Sequence, residues 1–530
     1  PYKILGANNE AAILIIEASE KVYVNGTLLK RGENEDYTIN YNLGEITFTT
    51  TFPITNDMRI WIDFQYAERN YTRFITYEKA EYKGEKFSLA GYFYSENDSK
   101  NQPLQQSLTN NQKEILANAG NNVDAMFAES AFLDTFNENK VLYRKVTNNN
   151  ENYFEYSTNE NEELFSVTFT NVGVNNGNYI LDSTIAIGNI YVYVGVKQGD
   201  YQPVVRLIAP SKSQMFIVKS ALNTNKKTTL DAEVALSNND QNLFSNLGDN
   251  ENIGLAAKIN WKQVLIDKKW KMISNISHEY AQQNFNTVQR YEPVEFNRDW
   301  NILTNDATKN YFKSEFNLTN LKDDYISYSF NSLTYSNGFK GARHRLKSQI
   351  KSKKTTFFVD GSYLSNSSPI EDNFFLRARA KVEHSLKKSW LGSFINIETN
   401  SRKGTNTNQF KNTSHRFKEY EAYYGIGDST NIFAKIGVNY RNNDSIKSNA
   451  FAEINNRKTF YIHSKLIKNK NTKLSVYANY RLTENNFTND EKTLNSKIIF
   501  NQKLFKSFVN SSTIYETSSG NVARQDYVYV

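Results

Sequence analysis

Cysteine is absent from all 530 residues. Disulfide frameworks, thiolate metal sites and cysteine nucleophiles are therefore excluded. The compartment stays open, because an oxidising one permits disulfides without requiring them. No run of 18 apolar residues occurs, which excludes a transmembrane helix. The longest apolar stretch near the start, Ala11 to Ile16, is too short for the core of a signal peptide, and no small-residue cleavage site follows it. A large charge of one sign is missing too: 63 Lys and Arg stand against 56 Asp and Glu, a formal +7. Over this length that excess does not call for nucleic acid. The chain opens on Pro1-Tyr2-Lys3 and closes on Asp526-Tyr527-Val528-Tyr529-Val530, which reads as mid-strand, so both ends read as cut from a longer polypeptide. Proline and methionine are scarce, at 7 and 4 residues, whereas Tyr and Phe number 34 each. Aromatics at 14% on a background only 39% hydrophobic suit amphipathic strands better than helices and argue against disorder.

The expected fold class is mainly β: a large antiparallel sheet or an open or closed β-barrel, with a small N-terminal β module and a short helical insertion. Residues 1–75 form the module. Val22-Tyr23-Val24 and Thr27-Leu28-Leu29 flank Asn25-Gly26, a type I′ turn pair, because both residues accept positive φ cheaply. Strands follow at Tyr37 to Tyr41, Glu45 to Thr49 and Met58 to Tyr66, the last alternating Met58, Ile60, Ile62, Phe64 and Tyr66 against polar neighbours. Glu33, Glu35 and Asp36 read as solvated turn residues rather than a metal cluster. Residues 76–211 are a mixed segment. Within it, 103–136 lacks strand alternation and carries Leu104, Leu108, Ile115, Leu116, Ala119, Val123, Met126 and Phe127 at roughly helical spacing, with Gly120 splitting the stretch into two helices. Such helices usually pack on a sheet. A protein-docking role is the alternative, with Tyr92, Phe93, Tyr94, Met126 and Phe127 as candidate partner contacts.

Residues 212–530 form a ladder of amphipathic strands. Phe374, Leu376, Ala378, Ala380 and Val382 oppose Arg377, Arg379, Lys381 and Glu383, and Ala434, Ile436, Val438 and Tyr440 oppose Lys435, Asn439 and Arg441. Polar turns such as Asn442-Asn443-Asp444-Ser445 separate the runs. Period two over such lengths means one dry and one wet face. A lipid-facing barrel and a curved sheet in water share that pattern. High overall polarity, small residues on the dry faces and the lack of repeated aromatic girdles tilt the expectation toward a soluble or partly embedded sheet.

Motifs of chemistry are few. The five histidines, His278, His344, His384, His415 and His463, show no metal-ligand spacing. No nucleophile elbow and no phosphate-binding Gly-Lys-Ser/Thr loop occurs. Asp240, Asn242 and Asp249 are the best Ca²⁺ candidates, but the required Gly and the bidentate Glu are missing, and a plain hairpin loop is the preferred reading. Glu295-Phe296-Asn297-Arg298-Asp299-Trp300-Asn301 reads as a structural corner in which Arg298 pairs with Asp299 or Glu295 and stacks on Trp300. No catalytic residue and no cofactor is expected.

Three strings then carry a resemblance. Leu5-Gly6-Ala7-Asn8-Asn9-Glu10, Val22-Tyr23-Val24-Asn25-Gly26-Thr27-Leu28-Leu29-Lys30-Arg31-Gly32 with Asp36-Tyr37-Thr38-Ile39-Asn40-Tyr41, and Val294-Glu295-Phe296-Asn297-Arg298-Asp299-Trp300-Asn301 resemble a β-rich cell-envelope family of Bacteroidota that is similar to the Plug subunit of the type 9 secretion translocon. The chain departs from the family pattern at Asn34-Glu35 before Asp36 and at Asn40, where Asp is common. The resemblance implies a non-enzymatic plug at the periplasmic face of the outer membrane, partnered by the giant translocon barrel and its accessory subunits. The alternatives are an integral outer-membrane barrel for transport or export, and a carbohydrate-binding surface protein.

Overall fold

The computed structural model describes the chain except for residues 7–12, 55–57, 68–69, 105–106, 149–150, 303–305, 428–431, 470, 506–508 and 519–530. The strand expected at Asp526–Val530 lies outside the described residues. Eighteen antiparallel strands close into one barrel. The ring begins with Tyr71–Lys83 and Phe87–Pro103, resumes at Lys212–Asn225, and runs hairpin by hairpin to Val509–Ser518, which closes on Tyr71–Lys83. The first two strands, divided above between the end of the module (to residue 75) and the mixed segment, therefore belong to the barrel. Their own hairpin is regular, from Ser88 opposite Lys83 to Asp98 opposite Arg73.

The direction of the two faces is the main correction to the sequence reading. The apolar phase points outward: Val382, Leu391, Ile395, Ile436, Val438 and Phe460 are all exposed on the outer wall. The polar phase points inward, where Arg343, Glu398 and Asn400 are buried. An open sheet in water would turn its apolar face inward; closure leaves that face as a continuous outer belt and removes both free edges. The Arg343-His344-Arg345 triplet shows the alternation at single-residue scale. Both arginines face the lumen, while His344 sits outside, 2.8 Å from the Tyr328 hydroxyl, on an aromatic rather than a solvated basic face.

The two ends of the barrel differ. One carries only short connections, such as 84–86, 226–227, 268–269 and 353–354. The other carries the N-terminal module, the insertion between Pro103 and Lys212, and the loops 241–252, 282–308 and 405–414. The module is the small antiparallel unit expected, with Ile4, Ile15, Val22, Val24, Tyr37 and Ile46 in its core. Asn25 and Gly26 have φ of 50° and 78°, as a type I′ turn requires. Buried Glu20 accepts from the hydroxyls of Tyr37 and Tyr41 and pairs with Arg31 at 3.1 Å. Burial and the Glu20 charge push the Tyr37 hydroxyl up to about 12.

The insertion contains one α-helix, Asn110–Ala119, opened by a Thr109–Gln112 capping box. The second expected helix is absent: Val123–Ala125 is a single 3₁₀ turn, and Phe127–Glu129 and Phe132–Asp134 are strands. Two four-stranded sheets follow, joined by rings such as Phe169, which stacks on Tyr191 at 4.7 Å. A barrel loop ties the helix down. Asn242 Nδ2 donates to the carbonyls of Leu116 (2.7 Å) and Gly120 (2.6 Å), and Ser245 Oγ donates to that of Ala117 (2.7 Å). These are terminal carbonyls that lack helical donors. Asn242→Ala is expected to cost about 1–3 kcal/mol locally. Hydrogen exchange should show faster exchange in the helix with unchanged barrel strands; equal protection in both proteins would contradict this.

Candidate functional site: a latched lumen

Polar side chains at many of the inward wall positions make much of the lumen hydrophilic, so a segment that enters it needs charged partners. The described part of segment 282–308, between Trp270–Ala281 and Lys309–Asn320, turns inward and meets that need. Its short helix Phe296–Asp299 seats Phe296 and fully buried Trp300 against Tyr311, Leu333 and Phe375. Trp300 lies edge-on to Tyr311 at 5.7 Å. A Cβ at Gly341 would come within 3.0 Å of the Trp300 ring, so the wall needs glycine at that point.

Polar contacts surround this apolar seat. Asp299 accepts from Arg377 (2.6 Å) and Arg343 (3.1 Å). Arg298 pairs with Glu398, whose Oε1 also lies 2.7 Å from His415 Nε2. Asn301 and Asn400 exchange two hydrogen bonds of 2.9 Å, and Asn366 donates to the Trp300 carbonyl. The corner expected at Glu295–Asn301 is thus a latch to the barrel wall. Its pairing meets the expectation in part, since Arg298 does form an ion pair with Glu295. Glu295 lies 3.5 Å from Arg298, but the main partner of Arg298 is Glu398, and its guanidinium stacks on Phe375 rather than Trp300.

The latch also holds the N-terminal module. Arg59 pairs with Glu295 at 3.1 Å, and Arg290 pairs with Asp63 while lying 4.5 Å over the Trp61 ring. The Asn25-Gly26 turn abuts Glu295. On the far wall, Lys497, midway along Glu491–Leu504 and only 5% exposed, donates to the Glu33 carbonyl at 2.9 Å. The module therefore reaches into the lumen and touches it on two sides. Its contacts are thin, for Leu14, Leu28, Leu43 and Trp61 stay exposed.

Beside the latch, between segment 282–292 and the wall from Tyr71–Lys83 to Trp270–Ala281, lies a cavity of about 970 Å³. Tyr92 and Tyr94 line it, while Phe93 is on the alternate, outward phase. Only two of these three rings thus share a face. Met126 is buried with Leu116, Ala128 and Leu207, so it is core and not a docking residue. Phe127 is half-buried under Arg206, 4.9 Å away. Asp240 and Asp249 cap local turns and Asn242 caps the helix, which leaves these three no common ion-binding centre. Among the described residues no group of three or more His, Asp or Glu could hold a metal. Asp63, Glu279, Arg290 and Glu398 were not singled out as site residues from the sequence; for Asp63, Glu279 and Glu398 the only signal was their place on the polar phase of a strand, and for Arg290, outside any strand, there was none.

Comparison with known proteins adds little to this geometry. A family described as "Domain of unknown function (DUF8818)" matches residues 1–68, the module alone. No curated protein matches the chain. Among solved structures, the outer membrane protein OpdK of Pseudomonas aeruginosa is similar at 10% identity and a TM-score of 0.27, covering 58% of this chain and 94% of that one. OccK5 (OpdH) of the same organism matches at 12% identity, 58% and 93% coverage and a TM-score of 0.27. OccAB3 of Acinetobacter baumannii matches at 10%, 58% and 93%, with a TM-score of 0.26. Likenesses this slight carry no functional argument.

The latch titrates in a defined direction. Burial would raise the Asp299 carboxyl, but Arg377 and Arg343 outweigh it and hold the group below the usual carboxylate range. Its stabilisation is therefore present above about pH 4, the unfolded value, and is lost as pH falls through the lower folded value. Asp299→Asn leaves two lumen arginines without their anion and is expected to cost about 3–5 kcal/mol at pH 7. Denaturant titrations should show that deficit shrinking below about pH 4; a deficit constant with pH would contradict it.

Proposed function

We propose that the chain is an outer-membrane β-barrel conduit closed from within by its own N-terminal module and the latched loop. The observation that carries this reading is the two-faced ring: large apolar side chains outside, paired charges inside, and no free sheet edge. Such a belt is unfavourable in water and favourable in a bilayer. Strands of 10 to 20 residues meet or exceed the roughly 9–11 needed to span. Barrels of about this strand number enclose an aqueous channel unless something fills it.

This favours the integral-barrel alternative over the soluble plug that the family resemblance implies, since a soluble plug would expose the belt to water. Partnership with a type 9 translocon rests on the resemblance alone, and co-purification with the translocon barrel tests it. No catalytic step enters the reading. Transport would require the module to leave, and its thin polar contacts suit reversible release: salt bridges such as Arg59–Glu295 are weakened by salt and hydration.

The test uses the cysteine-free background. A Cβ at Gly26 would lie 3.9 Å from that of Glu295, within the roughly 3.5–4.5 Å of a disulfide. In planar bilayers the oxidised Gly26→Cys/Glu295→Cys protein should show small, rare openings, and reduction should restore the larger ones of the single Gly26→Cys control. Conductance independent of oxidation, or failure of a folded barrel to insert, would overturn the proposal.

A further inference from the structure

We propose that the lumen cavity beside the latch binds a neutral oligosaccharide. The inference rests on the conduit reading only in that the cavity lies on the path through the barrel. Its volume, about 970 Å³, falls within the roughly 300–1,000 Å³ typical of small-molecule sites.

The rings point to the ligand class. Tyr77 on the wall and Tyr291 on the inturned segment both line the cavity, yet they are 63% and 56% exposed inside the ring. The Lys258 and Lys309 ammoniums lie 5.4 and 5.7 Å from the Tyr291 centroid and cover part of that ring, whereas Tyr77 presents its ring to the lumen. An open aromatic face in a polar channel is costly unless something apolar lies on it. The C–H face of a pyranose is such a partner, and its hydroxyls then meet the polar groups around the rings. Tyr92 and Tyr94 extend the aromatic wall.

The charges point to neutrality. Lys219 pairs with Glu233 at 3.1 Å, and Lys258 and Lys313 pair with Glu279 at 3.2 and 2.9 Å. Lys309 pairs with Glu292, and Arg290 is held by Asp63. A charged solute would have to break one of these pairs and leave a partly desolvated partner. Hydroxyls can add to them as donors and acceptors without doing so. One acceptor is still unfilled: Glu279, 4% exposed, has no hydrogen-bond donor on Oε2, and Lys309 Nζ is 3.8 Å away.

The experiment is calorimetric titration of the full chain in a detergent without a sugar headgroup. The probes are maltotetraose, cellotetraose, xylotetraose, chitotetraose and, as the charged comparison, tetragalacturonate. At least one neutral tetrasaccharide should bind with a Kd below about 1 mM. Tyr77→Ala and Tyr291→Ala should each weaken it about 5- to 10-fold, the worth of one aromatic contact, whereas Tyr77→Phe should stay within about twofold. Retained heat-resistant barrel migration on gels shows that each variant is folded. Absence of neutral binding below about 1 mM, preference for tetragalacturonate, or insensitivity to both alanine variants would overturn the proposal. Because binding is read in detergent, its failure is distinct from a failure to conduct in bilayers.

Discussion

Every backbone donor and acceptor in a sheet needs a partner, and a strand at an edge lacks half of them. Joining Val509–Ser518 to Tyr71–Lys83 removes that deficit at one stroke. All other features of the molecule follow from this closure. Once the ring is closed, period two has a fixed meaning: one phase faces the lumen and the other faces whatever surrounds the barrel. The large apolar phase outside cannot be covered by the chain itself, because both faces of each strand are already assigned.

Closure also creates the problem that the interior solves. A ring of this size leaves a wide, polar space, and a charged wall in such a space is stable only if its charges find partners. Cross-strand pairs such as Arg345–Asp360 at 2.8 Å meet part of the need. The inturned segment meets more of it by bringing Asp299 to Arg343 and Arg377 and Arg298 to Glu398. Its apolar seat around Trp300 then acts as a small core inside an otherwise hydrophilic channel. The N-terminal module uses the same segment as its dock, so latch and module act in series: the wall holds the loop, and the loop holds the module.

Much of the fold was legible in the sequence and some of it was not, for physical reasons. The alternation Phe374, Leu376, Ala378 and the turn pair Asn25-Gly26 are local signals, and both strand and hairpin follow from them. Whether Val382 faces core, water or lipid is not local, since period two is the same in each case. The polarity argument failed because a polar lumen puts polar and charged residues on one face of the strands without making the outside polar. The helical reading failed beyond Gly120 because Met126 and Ala128 are buried against Leu116 and Leu207, and that packing overrides short-range spacing. The latch was visible only as an unusual string. Its meaning depends on Arg298 meeting Glu398, 100 residues away, which no local pattern encodes. The cavity was invisible for the same reason, since Tyr77 and Tyr291, far apart in sequence, line one space only in the folded barrel.

The central claim is that the outer face of the ring meets lipid and the inner face meets water. Because the chain has no cysteine of its own, single cysteines can be placed one at a time from Lys435 to Tyr440 along Ile432–Lys447 and labelled with an environment-sensitive fluorophore. In liposomes, the account predicts that labels at 436, 438 and 440 are quenched by a lipid-borne quencher and labels at 435, 437 and 439 by an aqueous one. Uniform quenching along the strand by the aqueous quencher, with no alternation, would contradict it.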